Sequence, residues 1–205
     1  MQGKTHATIG AAVGMCVATA MPDNVSGNIN QIVLQVGASV IGALFADLDI
    51  ENSKGGKILN KVLGFISAIG VAGFLGLKLG VLELGKLNLN WNSFVCFVAF
   101  LAIGVYSRTR PHREFTHSIM VMAVTTMLLS GFTTMYYWVW YAAGYISHLV
   151  IDFPNKKGES LLWPLKQKFC LQLCTANGIA DKILYWVGIA LTTILLFVKV
   201  GVYRV

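Results

Sequence analysis

The chain has 205 residues, of which 56% are hydrophobic and only 12% charged, with a mean hydropathy of +0.66. A water-soluble domain carries about a quarter charged residues, so the composition excludes an ordinary soluble protein and points to a single membrane-embedded domain. The net charge of +7 requires no polyanionic partner, because the basic residues gather in short loops where the positive-inside rule accounts for them; direct nucleic-acid binding is not expected.

In chain order, the first apolar segment covers residues 7–21 and ends at Met21-Pro22-Asp23. It loosely fits a secretory signal, but its core is rich in Gly, Ala and Thr rather than Leu, and retention is the expectation. Residues 32–46 form the second segment and run into "DLDIENSKGGK". Residues 62–84 form a third, dotted with glycine and interrupted by Lys78, and residues 91–107 a fourth. The stretch 118–151 is too long for one crossing at about 20 residues per bilayer, so a division is expected near Gly131-Phe132-Thr133-Thr134. The last segment is 183–203. Continuous runs, without alternation, predict helices rather than barrel strands. The expected fold is all-α: a polytopic helical bundle of about six to seven apolar helices, some short or re-entrant.

The polar residues fall in four clusters. His6 precedes the first segment, Asp47, Asp49 and Glu51 follow the second, His112, Arg113, Glu114 and His117 follow the fourth, and His148 and Asp152 close the sixth. If every segment crosses or returns, all four clusters share one side. That side also carries Lys54, Lys57, Arg108, Arg110, Arg113, Lys156, Lys157, Lys166 and Lys168, against Lys78 and Lys86 opposite. The asymmetry predicts that the clustered side faces the cytoplasm.

Four cysteines give no disulfide or metal framework. Cys16 and Cys96 lie inside apolar runs and are expected to be buried thiols, while Cys170 and Cys174 lack the spacing of a CxxC site, and a reduced, cytosol-facing location is expected.

All four histidines therefore converge with aspartates. His148 and Asp152, spaced i,i+4, share one helix face, a spacing that suits two ligands of one metal or a ligand and its orienting carboxylate. Imidazole with carboxylate favours zinc, manganese or iron over calcium. His112 and His117 straddle a loop and the first turn of a helix that Thr116 is expected to cap. Asp47 and Asp49 can both be aimed inward by a turn, and two close carboxylates are costly without a cation between them. A cation held by such donors activates water and polarises a phosphoryl or carbonyl oxygen, and Arg108, Arg110, Arg113 and Lys54 would complement a phosphate. The bland reading assigns the arginines and lysines to topology alone. It explains the histidines and aspartates less well, since such groups at membrane depth are expensive and tend to be functional.

The segments "KTHATIGAAVG", "GALFADLDIENS", "HREFTHSIMV" and "GYISHLVIDFPNKKGESLLWPL" together resemble the YdjM-like family of bacterial LexA-regulated, membrane-bound metal-dependent hydrolases. The resemblance covers roughly residues 1–170. It implies a distant similarity to the all-helical zinc-dependent phospholipase C fold, a multi-pass location in the inner membrane, and metal ligands at His6, Asp47, Asp49, His112, His117, His148 and Asp152. LexA regulation, and with it a place in the response to DNA damage, is implied by the resemblance alone. Two positions depart from the family pattern: Ala46 stands where Pro usually precedes the Asp pair, and Glu114 where Gly usually follows His-Arg.

Three functions are compatible with these residues. The first is hydrolysis of a phosphoester or lipid headgroup, with zinc, or else manganese or iron, as cofactor. Glu114 or an uncoordinated Asp such as Asp49 would then be the base, and Arg113 with Arg110 would steady the phosphate. The second is a non-enzymatic membrane protein that handles metal or protons. The third is a structural stress-response protein whose polar loops only set topology. Ligands gathered at helix ends favour the first, and ligands strung along the midplane the second. Membrane lipids are the expected partners.

Overall fold

A computed structural model of the chain describes residues 1–22, 28–49, 72, 91–133 and 136–202. Among these residues the secondary structure is helical, with isolated bridges but no strand. The helices are α1 (Gly3–Ala20), α2 (Ile29–Phe45), α3 (Trp91–Ser107), α4 (Ile119–Phe132), α5 (Tyr137–Asp152) and α6 (Ile179–Val202). A 3₁₀ turn, Ala46–Asp49, continues α2. The fold is all-α, as the uninterrupted apolar runs predict.

Two of the helices are long and apolar enough to cross a membrane, over Ile29–Asp49 and Ile179–Lys199, while α3 and α4 are apolar but shorter. Only 11% of the α6 window is buried inside the protein, so its apolar surface faces outward, unlike that of a soluble core helix. The expectation of six to seven apolar helices thus becomes six helices with two of clear spanning length, among the described residues. The third expected segment, 62–84, lies outside the described residues except for residue 72, as do Lys54, Lys57, Lys78 and Lys86. The long stretch 118–151 divides where expected, α4 ending at Phe132.

Small residues set the packing. Helix α2 lies against both α1 and α5, α1 also touches α5 and α6, and α4 bridges α3 and α5. At the α2–α5 crossing, a Cβ on Gly42 would overlap the Tyr141 carbonyl, and one on Gly144 would overlap that of Ser39. Backbone approach this close requires glycine, the means by which membrane helices associate where no hydrophobic force separates protein from lipid. Ser39 also donates a 2.7 Å hydrogen bond to the Gly10 carbonyl, tying α2 to α1. Beside the crossing, Phe45, Ala46, Leu48, Tyr141, Tyr145 and Leu149 form the larger apolar cluster.

Two local expectations are corrected. Helix α4 is capped by Ser118, whose hydroxyl accepts from the Val121 amide at 3.2 Å; the Thr116 hydroxyl instead donates to Asp49. Cys16 is exposed rather than buried. One residue of helix turns the side chain by about 100°, which takes Cys16 off the stripe of Ala12, Met15 and Ala18 that α1 buries. Cys96 is half-buried against Gly131.

Candidate metal centre

Helix ends build the site. His6 lies in the first turns of α1, Asp47 and Asp49 in the turn after α2, His112 and His117 in the loop from α3 to α4, and His148 and Asp152 in the last turns of α5. The Gly42–Gly144 crossing holds the α2 and α5 ends in register, so Asp47 and His148 arrive together.

His6, His117, His148 and Asp152 are buried, and Asp47 is only slightly exposed. His148 Nε2 lies 3.3 Å from His117 Nε2 and 3.8 Å from Asp47 Oδ1, which is 3.9 Å from His117 Nε2. His6 Nε2 is 3.2 Å from Asp152 Oδ1 and 4.0 Å from Asp47 Oδ2. The rings of His6 and His148 stack with centroids 3.7 Å apart. Three overlapping groups bring their ligand atoms within 4.8 Å of one another: His6, Asp47 and His148; Asp47, His112 and His117; and His117, His148 and Asp152. Asp47 belongs to two of them.

The donor set fits a divalent cation on its own chemistry. His148 Nδ1 sits 2.6 Å from the Ala43 carbonyl; that bond requires the proton on Nδ1 and leaves the Nε2 lone pair facing the cluster, the orientation ligating histidines take. Neither ring nitrogen of His6 makes a hydrogen bond of good geometry, an orphaned state that buried polar groups normally avoid. Burial, reinforced by the His148 and His112 rings, holds the His117 imidazole well below the usual histidine pKa, so it is neutral and able to ligate.

Asp49 has a different part. Its Oδ1 lies 2.8 Å from His112 Nδ1, and its Oδ2 accepts from the Arg113 amide and the Thr116 hydroxyl, both at 3.1 Å. With its oxygens occupied it braces His112 rather than facing the cluster. Arg113 adopts a left-handed backbone, φ 68°, a strained conformation for a non-glycine residue and one that concentrates at functional sites. Its guanidinium donates to Asp152 Oδ2 at 2.5 Å and to the Lys157 carbonyl at 2.6 Å. It therefore orients Asp152, which also pairs with the Met1 amine.

Other candidates stand apart. Glu114 is 38% exposed, 3.9 Å from Lys168; Arg110 is exposed and lies over the Tyr106 ring; Arg108 donates to the Leu48 carbonyl. Sequence reasoning missed Glu159. This carboxyl is buried, neither oxygen has a hydrogen-bond partner, and burial, with Asp152 nearby, pushes its pKa up to about 8. An acid in a connector reads as solvated; only the packing of residues 157–160 on Arg113, through the Lys157 carbonyl and the Ser160 amide, carries it inside.

The family model for the YdjM inner membrane protein matches residues 1–204. The chain belongs to the YdjM inner membrane protein family. Curated proteins and solved structures gave no match. As a YdjM-family member it is a membrane protein, in keeping with its two helices of spanning length, and its His/Asp groups could hold a metal ion.

Proposed function

We propose that this YdjM-family chain is a membrane-bound metal-dependent hydrolase acting on a phosphoester, with a lipid headgroup as the preferred substrate class. The observation that carries this reading is the gathering of His6, Asp47, His112, His117, His148 and Asp152 at one end of the helices. A relay for ions or protons needs such groups spread through the membrane, whereas a hydrolytic site needs them where water and headgroups meet.

When bound, a divalent cation, zinc by best match to imidazole and carboxylate donors, supplies Lewis acidity and an activated water. The protein's own groups do the rest. Ala43 and Asp49 fix the faces that His148 and His112 present, and Arg113 holds Asp152 in place. Glu159, protonated at neutral pH, is the buried acid with a proton to give. Beside the site an apolar groove of about 370 Å³, lined by Ile119, Met122, Ile146, Leu149, Val150, Phe153 and Leu161, offers room for an acyl chain. The groove lies on the flank of α5 that carries Ile146, Leu149, Val150 and Phe153.

Metal analysis of detergent-purified protein tests the proposal. Stoichiometric zinc, manganese or iron is expected in the wild type and its loss in both His117→Ala and His148→Ala, together with loss of activity on a short-chain phospholipid. Metal-free wild type, prepared under conditions that retain weakly held ions, would overturn the reading.

A further inference from the structure

The connector from α5 to α6, residues 153–178, is non-helical, with a hairpin closed by the antiparallel pair Glu159 and Phe169 and a parallel bridge between Asn155 and Cys174. Glu159 and Phe169 exchange both backbone hydrogen bonds at 3.0 and 2.9 Å, and the amides of Leu171 and Leu173 donate to the carbonyls of Phe153 and Pro154. Leu171 and Leu173 flank Gln172, whose backbone is left-handed (φ 57°), and both are solvent-facing, 51% and 75% exposed. Leu162 and Leu165 are exposed as well.

Four bare leucines in so short a connector are unusual for a surface facing water. Interleaved with them are Lys156, Lys157, Lys166 and Lys168, all exposed. The connector's one acidic residue, Glu159, is buried, so its outer face is cationic; among the described residues, Lys168 alone of these lysines pairs with an acid, Glu114 at 3.9 Å. Directly after the hairpin, α6 begins with Ile179, Ile183 and Trp186 exposed, so the leucines continue into the outward apolar surface of a helix of spanning length.

We propose that this hairpin is an interfacial docking surface for anionic phospholipid headgroups, its leucines dipping below the headgroup level and its lysines pairing with the lipid phosphates. Apolar side chains beside clustered lysines are the composition that seats a segment at a negatively charged bilayer surface. The charge carried on the hairpin selects an anionic leaflet over a neutral one.

The test uses the full-length protein in nanodiscs of phosphatidylcholine alone or mixed with phosphatidylglycerol. A nitroxide is placed at position 173 by Leu173→Cys in a chain whose four native cysteines are replaced by serine. In the anionic discs the probe is expected to be reached by oxygen in preference to a polar nickel reagent. Separately, the unlabelled wild type is expected to retain phosphatidylglycerol over phosphatidylcholine through purification, by a margin that falls about fivefold for each of Lys156, Lys157 and Lys166 changed to Gln, the equivalent of about 1 kcal/mol per lysine at an anionic surface. The triple variant removes surface charge only and leaves the fold's buried contacts in place. A probe that reads bulk water in anionic discs, or equal lipid retention by wild type and triple variant, would overturn the proposal. Shielding of the probe in native membranes but not in pure lipid would overturn it too, and assign the surface to a protein.

Discussion

Glu159 and Asp49 are both carboxylates near the same cluster, yet they differ in their hydrogen-bond partners. Asp49 has partners on both oxygens, while Glu159 has none. A buried acid without donors stays neutral. Between its ordinary value of 4.5 and about 8, Glu159 binds a proton in the folded chain that the unfolded chain has released. Its contribution to stability is therefore complete at acid pH and is lost as pH rises through about 8. Glu159→Gln has no such loss. Thermal melts of the metal-free protein should show the variant gaining on the wild type as pH rises from 5 to 9, by a few kcal/mol at most (~3–5). His117 acts in the reverse sense, since its pKa is lowered: its contribution is lost as pH falls below about 6.5. Asp49→Asn keeps the shape of the brace but weakens its hold on His112, and titration with zinc should show roughly 10–100-fold weaker binding, the usual cost of disturbing a group that orients a ligand. The site histidines and aspartates could be read from the chain because imidazoles and carboxylates are rare and costly among apolar runs. Glu159 could not, because its burial depends on a hairpin with no local signal.

At the level of helices, the site's precision rests on the contact between α2 and α5. Gly144 and Gly42 meet carbonyls of the facing helix, so an added methyl has only rigid backbone to displace. Gly144→Ala should cost more than the ordinary overpacking penalty of about 1–3 kcal/mol and should weaken metal binding as well, since His148 lies one turn further along the same helix. Paired melting and metal-affinity measurements would check this; a loss of stability with affinity intact would separate packing from site assembly. Helices α3, α4 and α6 begin or end within a few residues of where the apolar runs place them. The Ser118 cap was missed although serine caps somewhat better than threonine; the Thr116 hydroxyl is engaged by Asp49 instead. Cys16 misled for a related reason: an apolar run says that a helix is surrounded by apolar matter, but not whether protein or lipid supplies it.

Across the whole molecule, the clustered end receives the starts of α1, α4 and α6 and the finishes of α2, α3 and α5. The lysines of the hairpin lie at that end, as do Arg108 and Arg110, and the positive-inside rule expects it in the cytoplasm. A cysteine introduced at Lys157, in a chain without the native thiols, should react with a membrane-impermeant maleimide in inside-out vesicles and not in intact cells. Parity of apolar segments was sufficient to anticipate the convergence of the four clusters, because each helix must exit where the next polar stretch begins. Which helices cross fully was not readable, since length separates spanning from buried helices only when the run exceeds the bilayer.

The contact between His6 and Asp152 also sets an order of events. His6 is synthesised well before α5, while the carboxylate beside it, and the His148 ring stacked on it, are made only as α5 is completed. Until then α1 carries an imidazole whose neighbours do not yet exist, so this end of the molecule closes late in synthesis. A cation that joined the two would be a clasp between segments made far apart in time, and closing so long a loop is where a single cross-link confers most.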